Sequence, residues 1–232
     1  MTKRYWWILI IYAIAQFSGL AIAPLLFKLT SWNELEASIY GNIFSLTLGF
    51  IIILYLLKDS MREGLRAGID ISQTAVWVVF GVFMAYATQI IASLIEVKVL
   101  GIKTSSQNTA VIMEFTRQIP LFAILTTLIA PVLEEIIFRK IIFGSLYKKT
   151  NFFIAGVISA IIFGIVHGEP KHLLIYASMG FVFAYLYIRT KTLLTPILVH
   201  IILNTITVIV QYNLTPEQIQ QQLEQLHVFI GG

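Results

Sequence analysis

Long apolar segments, separated by short polar ones, make up most of this sequence. Most are close to the ~20 residues that an α-helix needs to cross a hydrocarbon core ~30 Å thick. They are apolar on all sides, whereas the strands of a membrane β-barrel alternate apolar and polar residues. The pattern therefore predicts an all-α, polytopic transmembrane helical bundle. We expect about seven spans, with eight as the alternative count, at 5–27, 37–57, 74–97, 119–142, 152–168, 172–188 and 192–211.

Two segments depart from this pattern. Residues 98–118 mix charged and apolar positions, which is typical of a loop or an interfacial helix. The tail from Thr215 is polar and rich in Gln, and it predicts a short amphipathic helix outside the bilayer. We expect one membrane domain over 1–232, in which 1–118 supplies accessory spans and 119–211 carries the catalytic core.

Composition supports a membrane protein and narrows the chemistry. The 232 residues are 58% hydrophobic and 12% charged, whereas soluble domains carry about 25% charged residues. The absence of cysteine excludes a disulfide framework, a thiol nucleophile and cysteine-based metal sites. The net charge of +4 comes from Lys and Arg in the loops. We interpret these residues as setting the orientation of the chain in the membrane and not as binding nucleic acid.

The charges also predict an orientation. Lys3-Arg4 and Ala21-Ile22-Ala23 resemble a signal peptide, but the apolar stretch continues through Phe27, so we expect an uncleaved first span. With the N-terminus inside, ten Lys and Arg fall on the inner side and five on the outer. The inner ten are Lys3, Arg4, Lys58, Arg62, Arg66, Lys140, Lys148, Lys149, Arg189 and Lys191, and the outer five are Lys28, Lys98, Lys103, Arg117 and Lys171. This excess predicts a cytoplasmic N-terminus in the cell membrane.

Polar residues inside apolar spans are the candidates for function, because an ionisable group there is costly unless it is paired or hydrated. The fourth predicted span contains three, the fifth ends on one and the seventh contains two. They are Glu134, Glu135, Arg139, His167, His200 and Asn204.

Helical spacing predicts how these residues face one another. Glu135 and Arg139 are i,i+4 neighbours and can pair, while Glu134 points about 100° away and can face another group. His200 and Asn204 share a face by the same spacing. Counted from the turn at 148–151, Glu134 and His167 are both ~21–24 Å along their helices, so an antiparallel hairpin brings them level.

A Glu–His cluster in an apolar surround can activate water. The carboxylate takes the proton, and imidazole orients the water or binds a metal. His200 and Asn204 could ligate a metal or donate to a developing oxyanion. These alternatives stay open at this point, since an HExxH metal-binding pattern is absent.

The three short motifs that contain these residues resemble those of a known family. Glu134-Glu135…Arg139, Phe163…His167 and His200…Asn204 are similar, in this order over roughly 119–211, to the motifs of the CPBP intramembrane peptidases. That family comprises CAAX prenyl endopeptidases and bacteriocin-processing or immunity (Abi) proteins.

The resemblance implies a role for each residue. Glu134 would be the base and His167 would assist it, with Glu135 and Arg139 as supporting residues. His200 and Asn204 would bind a metal or stabilise the oxyanion. A divalent metal such as zinc, held by His167 and His200, is one option; purely Glu/His-activated water is the other.

Simpler interpretations exist for every candidate. The charged residues of the fourth span could be a buried network that fixes helix packing. His167 could be an interfacial residue, and His200 and Asn204 could join helices by hydrogen bonds. We interpret His172 and His227 as loop and tail residues. Gly19, Gly49, Gly81 and Gly180 are expected to be packing contacts.

The sequence thus predicts an intramembrane endopeptidase of the glutamate or metallo type. Its expected partners are a peptide or membrane-associated protein substrate and the lipid bilayer. The alternative is a non-catalytic membrane scaffold or bacteriocin-immunity protein of the same fold. Aspartyl and serine intramembrane proteases are set aside for want of paired intramembrane aspartates and a GxSG-like nucleophile, and a proton-coupled transporter for want of inverted repeats.

Overall fold

A computed structural model describes residues 1–66, 70–102 and 106–213, with no side chains described at 63–66. These residues form eight α-helices: α1 Lys3–Leu29, α2 Glu34–Arg66, α3 Ile71–Lys98, α4 Gln107–Gln118, α5 122–147, α6 Phe152–Val166, α7 Leu173–Thr190 and α8 Leu194–Asn213. A 3₁₀ turn, Pro170–His172, precedes α7. The all-α class is confirmed. The predicted tail helix and His227 lie outside the described residues.

Five helices are long and apolar enough to cross a membrane: Lys3–Leu29, Glu34–Arg62, Ile71–Lys98, Pro170–Thr190 and Leu194–Asn213. They correspond to five of the seven predicted spans. The predicted fifth span becomes the shorter apolar helix Phe152–Val166. The predicted fourth span falls in α5, which contains π-helical turns. The segment 98–118, predicted as a loop or interfacial helix, contains the 12-residue α4.

Local sequence sets several helix starts. The side chains of Asp70, Ser106 and Asn151 each accept a hydrogen bond from the backbone N–H three residues later, at 2.9–3.0 Å. This capping satisfies one of the backbone donors that a helix N-terminus leaves unpaired. The chain leaves α7 through Lys191 in the left-handed region, with φ of 56°, and then begins α8.

Small residues let the helices approach closely, as expected for membrane bundles. A Cβ added at Gly49 would lie 2.5 Å from the Cβ of Ala15 in α1, and one at Gly81 would lie 2.7 Å from Val199 in α8. The Ser45 hydroxyl donates to the backbone carbonyl of Ala15 at 2.6 Å, which joins α2 to α1. The largest buried apolar cluster lies between α1, α2, α3, α5, α6, α7 and α8, and the candidate residues lie within this part of the bundle.

Candidate active site

Helix α5 changes its winding twice, at the π-helical segments Leu125–Ile129 and Glu135–Phe143. Pro131 follows the first segment, and proline has no N–H to donate. In a π-helix the carbonyl of Thr126 would be paired with the N–H of residue 131. The Asn204 side chain replaces that donor, with its Nδ2 3.0 Å from the Thr126 carbonyl oxygen. Asn204 therefore ties α8 to α5 at the irregular turn.

Glu135 and Arg139 form a fully buried ion pair at the second π-helical segment. Arg139 donates from Nε to Glu135 Oε2 at 2.8 Å and from NH2 to Oε1 at 3.3 Å, and both side chains are 0% exposed. The guanidinium lies over the rings of Phe163 and Phe183, at 4.8 and 5.4 Å from the ring centroids. The predicted i,i+4 pairing is confirmed.

His200 reaches both glutamates from α8. Its Nδ1 lies 3.1 Å from Glu135 Oε1, and its Nε2 lies 3.7 Å from Glu134 Oε2. The ring stacks on Phe183 at 4.8 Å with an interplanar angle of 25°. In a neutral imidazole, Nδ1–H donating to Glu135 leaves Nε2 as an acceptor that faces Glu134.

Glu134 is the candidate side chain with an unpaired oxygen next to this imidazole. Its side chain is 18% exposed, while Oε2 is buried without a hydrogen-bond partner in the described structure. Next to the site, Tyr12 of α1 packs edge-on against Phe138 of α5, with ring centroids 6.3 Å apart.

His167 is held by its own helix end and by an aromatic ring. Its Nδ1 lies 2.8 Å from the Phe163 carbonyl oxygen, so the Nδ1–H tautomer leaves Nε2 with a free lone pair. The imidazole stacks on Tyr176 at 4.1 Å. The ring of Phe163 lies 4.5 Å from that of His167 and 6.0 Å from that of His200. No hydrogen bond or ion pair among the described residues joins His167 to Glu134, and their predicted position at the same depth stays a prediction.

Glu169 was not predicted as part of this region, yet it connects the site to α4. Its carboxylate accepts from the hydroxyls of Tyr176 at 2.8 Å and Ser106 at 2.7 Å, and from the backbone N–H of Gln107 and of Asn108. Burial raises the pKa of Glu169, but these hydrogen bonds outweigh it and lower the pKa below its ordinary value of 4.5. The ionised carboxylate therefore caps α4 and holds the ring that stacks on His167.

A second buried carboxylate–imidazole pair lies outside the predicted site. Glu96 of α3 accepts from His172 Nδ1 at 2.8 Å and from the Ile175 N–H at 3.2 Å. His172 is 7% exposed. His172 lies in the segment between α6 and α7, as expected for a loop residue, but its buried imidazole also fixes the start of α7 against α3.

Few side chains around Glu134 and His200 are placed to bind a metal ion together. No group of three or more His, Asp and Glu side chains with metal-binding geometry occurs among residues 1–66, 70–102 and 106–213. A catalytic zinc site usually has three protein ligands, whereas Glu134 and His200 offer two neighbouring donors. This donor set does not fit such a site, and the mechanism below uses no metal. The predicted divalent metal stays a prediction.

Comparison with known proteins identifies the family. The family model of type II CAAX prenyl endopeptidases, Rce1-like, matches residues 116–206. YdiL of Bacillus subtilis, whose name proposes a membrane peptidase, is 44% identical over 100% of this chain and 99% of its own. The membrane-embedded CAAX protease MroQ of Staphylococcus aureus is 33% identical over 95% of each chain.

A more distant relative and the solved structures complete the comparison. The UPF0177 protein YxdF of Lactococcus lactis is 28% identical over 53% of this chain and 70% of its own. No solved structure matches the chain. The two long matches cover α1, α2 and α3 as well as the three motifs. The chain therefore belongs to the Rce1-like CAAX endopeptidases, the family of membrane peptidases that its motifs resemble.

Proposed function

We propose that this protein is an intramembrane endopeptidase that hydrolyses a peptide bond of a peptide or membrane-associated protein with water activated by Glu134. The observation that carries the proposal is the buried, unpaired Oε2 of Glu134 beside Nε2 of His200. A carboxylate with a free lone pair in an apolar site is suited to general-base catalysis.

The reaction would proceed as proton transfers through Glu134. The carboxylate takes a proton from water as the water oxygen attacks the scissile carbonyl carbon, which forms a tetrahedral oxyanion. The protonated Glu134 then gives this proton to the leaving amine as the C–N bond breaks. The products are a carboxyl and an amino terminus, so no further reactant is needed.

The surrounding residues would support that carboxylate. Arg139 pairs with Glu135 and holds its carboxylate in place, and Glu135 in turn accepts from His200 Nδ1 and so orients the imidazole beside Glu134. His167, with Nε2 unshared, would accept from the attacking water or assist the leaving group. His200 can stabilise the oxyanion only while protonated, because its neutral form directs Nδ1–H to Glu135. The second N–H of the Asn204 amide is the other candidate oxyanion donor.

We propose that the protein acts in the cell membrane with its N-terminus in the cytoplasm. The substrate is a peptide or membrane-associated protein, with no role for nucleic acid. A divalent metal would be an addition to this mechanism and is tested below. The alternative is a scaffold or immunity protein of the same fold, which would bind its partner and act in the cell without hydrolysing a peptide bond.

The test compares wild type with Glu134→Gln and His167→Ala on a quenched peptide library in detergent. Glu134→Gln keeps the shape of the side chain and removes the base, so we expect turnover to fall by about 10²–10⁴-fold. Glu114→Gln, at an exposed position of α4, is the matched control and should keep full turnover. Wild-type turnover that persists in Glu134→Gln would contradict the proposal. Full cellular activity in both site variants would favour the scaffold.

A chelator arm decides on the metal. Wild-type protein treated with a divalent-metal chelator should keep its turnover if Glu134 and His167 activate water without an ion. Loss of turnover that added zinc restores would support the predicted metal.

A further inference from the structure

Three contacts hold the imidazole of His167. Its Nδ1 lies 2.8 Å from the Phe163 carbonyl oxygen, and the Phe163 ring lies 4.5 Å from the imidazole at an interplanar angle of 60°. The ring of Tyr176 stacks on the imidazole at 4.1 Å with an angle of 25°. Rotation of a histidine ring about its χ2 bond is only weakly restricted by the side chain itself. These contacts therefore decide the direction of Nε2.

The Tyr176 ring is itself fixed at its hydroxyl end. The hydroxyl donates to Glu169 Oε2 at 2.8 Å. The same carboxylate accepts from the Ser106 hydroxyl and from the backbone N–H of Gln107 and of Asn108, at the start of α4. Hydrogen bonds to an ionised group are stronger than those between neutral groups. Glu169 therefore ties the far end of the ring to α4.

The backbone around Tyr176 is fixed by α3. Glu96 accepts from His172 Nδ1 at 2.8 Å and from the Ile175 N–H at 3.2 Å, and both partners lie within the four residues before Tyr176. Glu96 is 1% exposed and His172 is 7% exposed. A shift of this turn along α3 would leave buried polar groups unpaired, which is costly. The first turns of α7 are therefore held in place.

Close packing of α6 on α7 brings the two rings together. A Cβ added at Gly164 would lie 2.6 Å from Leu173 Cδ1 and 3.4 Å from the Ala177 backbone nitrogen. Gly164 precedes His167 by three residues, and Leu173 and Ala177 lie on either side of Tyr176 in the sequence. The absence of a side chain at Gly164 thus sets the separation at which the imidazole and the phenol ring stack.

We infer that Tyr176 is a positioning residue of the reaction. The inference rests on the proposed function, in which His167 uses Nε2 to accept from the attacking water or to assist the leaving group. The Tyr176 ring keeps the imidazole in the orientation that places Nδ1 on the Phe163 carbonyl and so fixes the direction of Nε2. Glu96 and Glu169 hold that ring from α3 and α4, so helices that precede the three motifs contribute to the geometry of the site.

Three variants separate the ring of Tyr176 from its hydroxyl and from the stability of α7. Tyr176→Leu removes the stacking ring, and Tyr176→Phe keeps the ring without the hydroxyl. Tyr185→Leu is the matched control, since it removes another half-buried ring of α7, one that contacts Trp77 and Phe152.

The variants are compared by turnover of a quenched peptide in detergent. We expect kcat of Tyr176→Leu to fall about 10–100-fold with KM within about twofold, because a displacement of ~1 Å can cost about 10²-fold in rate. Tyr176→Phe should keep most of the wild-type kcat, and Tyr185→Leu should keep all of it. Equal kcat in Tyr176→Leu and Tyr185→Leu, with Glu134→Gln inactive, would overturn the inference and leave the proposed function intact.

A double variant tests whether Tyr176 acts through His167. If it does, its effect disappears when the imidazole is absent. We therefore expect Tyr176→Leu to change kcat by less than about twofold in His167→Ala protein. Equal losses in the two backgrounds would overturn the inference. A change in KM alone would also overturn it, because Tyr176 would then bind the substrate.

The tautomer of His167 gives a readout that does not need turnover. Nitrogen-15 NMR reports on the four histidines, and His167→Ala identifies the signals of this one. The Nδ1–H tautomer should dominate in wild type and in Tyr176→Phe, whereas Tyr176→Leu should give a mixture of tautomers. Unchanged signals in Tyr176→Leu would overturn the inference. Turnover that persists in Glu134→Gln would count against the proposed function, and the tautomer would still decide whether Tyr176 fixes His167.

Discussion

The side-chain amide of Asn204 donates a 3.0 Å hydrogen bond to the backbone carbonyl of Thr126. The two residues are 78 positions apart in the sequence and belong to α8 and α5. Pro131 removes the backbone donor that this carbonyl would otherwise use. One N–H of Asn204 therefore completes the fold of α5, and the other makes no hydrogen bond within the described part of the chain.

Asn204→Ala should destabilise the bundle because it leaves the Thr126 carbonyl without its donor. We expect a loss of about 1–3 kcal/mol in the free energy of unfolding, measured by denaturation in detergent. Asn204→Asp should be worse, since an ionised carboxylate cannot donate and faces the carbonyl oxygen. Asn213→Ala is the control, because that side chain bonds only the Ile209 carbonyl of its own helix. Equal stability of Asn204→Ala and wild type would contradict this structural role.

Arg139→Met should cost about 3–5 kcal/mol of stability, because it leaves the charge of Glu135 buried without its partner. The double variant Arg139→Met with Glu135→Gln removes both charges and should recover much of that loss. Unfolding of the single and double variants in detergent measures the coupling between the two residues. Strictly additive losses would mean that the pair contributes nothing beyond its separate side chains.

Acid should release the start of α4 through Glu169. Since hydrogen bonds lower the pKa of Glu169 in the folded state, its contribution to stability is complete above the ordinary value of 4.5. The contribution is lost as pH falls through the lowered folded pKa. Hydrogen exchange at the Gln107 and Asn108 amides should therefore accelerate as pH falls below the ordinary value of 4.5, beyond the intrinsic change with pH.

Glu169→Gln provides the matched control for this pH dependence. Glutamine can still accept hydrogen bonds but does not titrate in this range, so the acid-dependent component of exchange should disappear. An equal acid response in both proteins would mean that another group releases α4. Because Tyr176 links Glu169 to His167, the same acid range should lower turnover more in wild type than in Glu169→Gln.

Gly49→Ala should separate α1 from α2, because its Cβ would lie 2.5 Å from that of Ala15. We expect a loss of about 1–3 kcal/mol in the free energy of unfolding. Gly41→Ala is the matched control on the same helix, since its nearest neighbour would be 3.4 Å away. Adding Ala15→Gly to Gly49→Ala should recover stability by making room, and an unchanged loss would argue against this contact.

Local sequence was sufficient to predict most of the helices and one contact of the site, the ion pair of Glu135 and Arg139. Hydrophobicity predicts membrane helices well because lipid offers no hydrogen-bond partners, so each segment must satisfy its own backbone. The i,i+4 spacing of Glu135 and Arg139 predicts their ion pair for the same local reason. The cost of polar groups in an apolar span singled out the six candidate residues, five of them ionisable and the sixth an amide.

Contacts between distant segments could not be predicted in this way. The position of His200 between Glu134 and Glu135 depends on how α8 packs on α5, and the pairing of Glu96 with His172 depends on α3 and α7. Spacing along one helix carries no information about the register between two helices. A loop glutamate such as Glu169 becomes connected to the site only through that register.

The sequence by itself determined a membrane-spanning all-α chain, its main helices and the residue types available for chemistry, because these follow from hydrophobicity and helical periodicity. The tertiary structure decided which carboxylate oxygen of the site is left unpaired and which ring nitrogen of His167 and of His200 is held by a hydrogen bond. Those features depend on the packing of side chains from separate helices, for which small residues such as Gly49 and Gly81 set the distances.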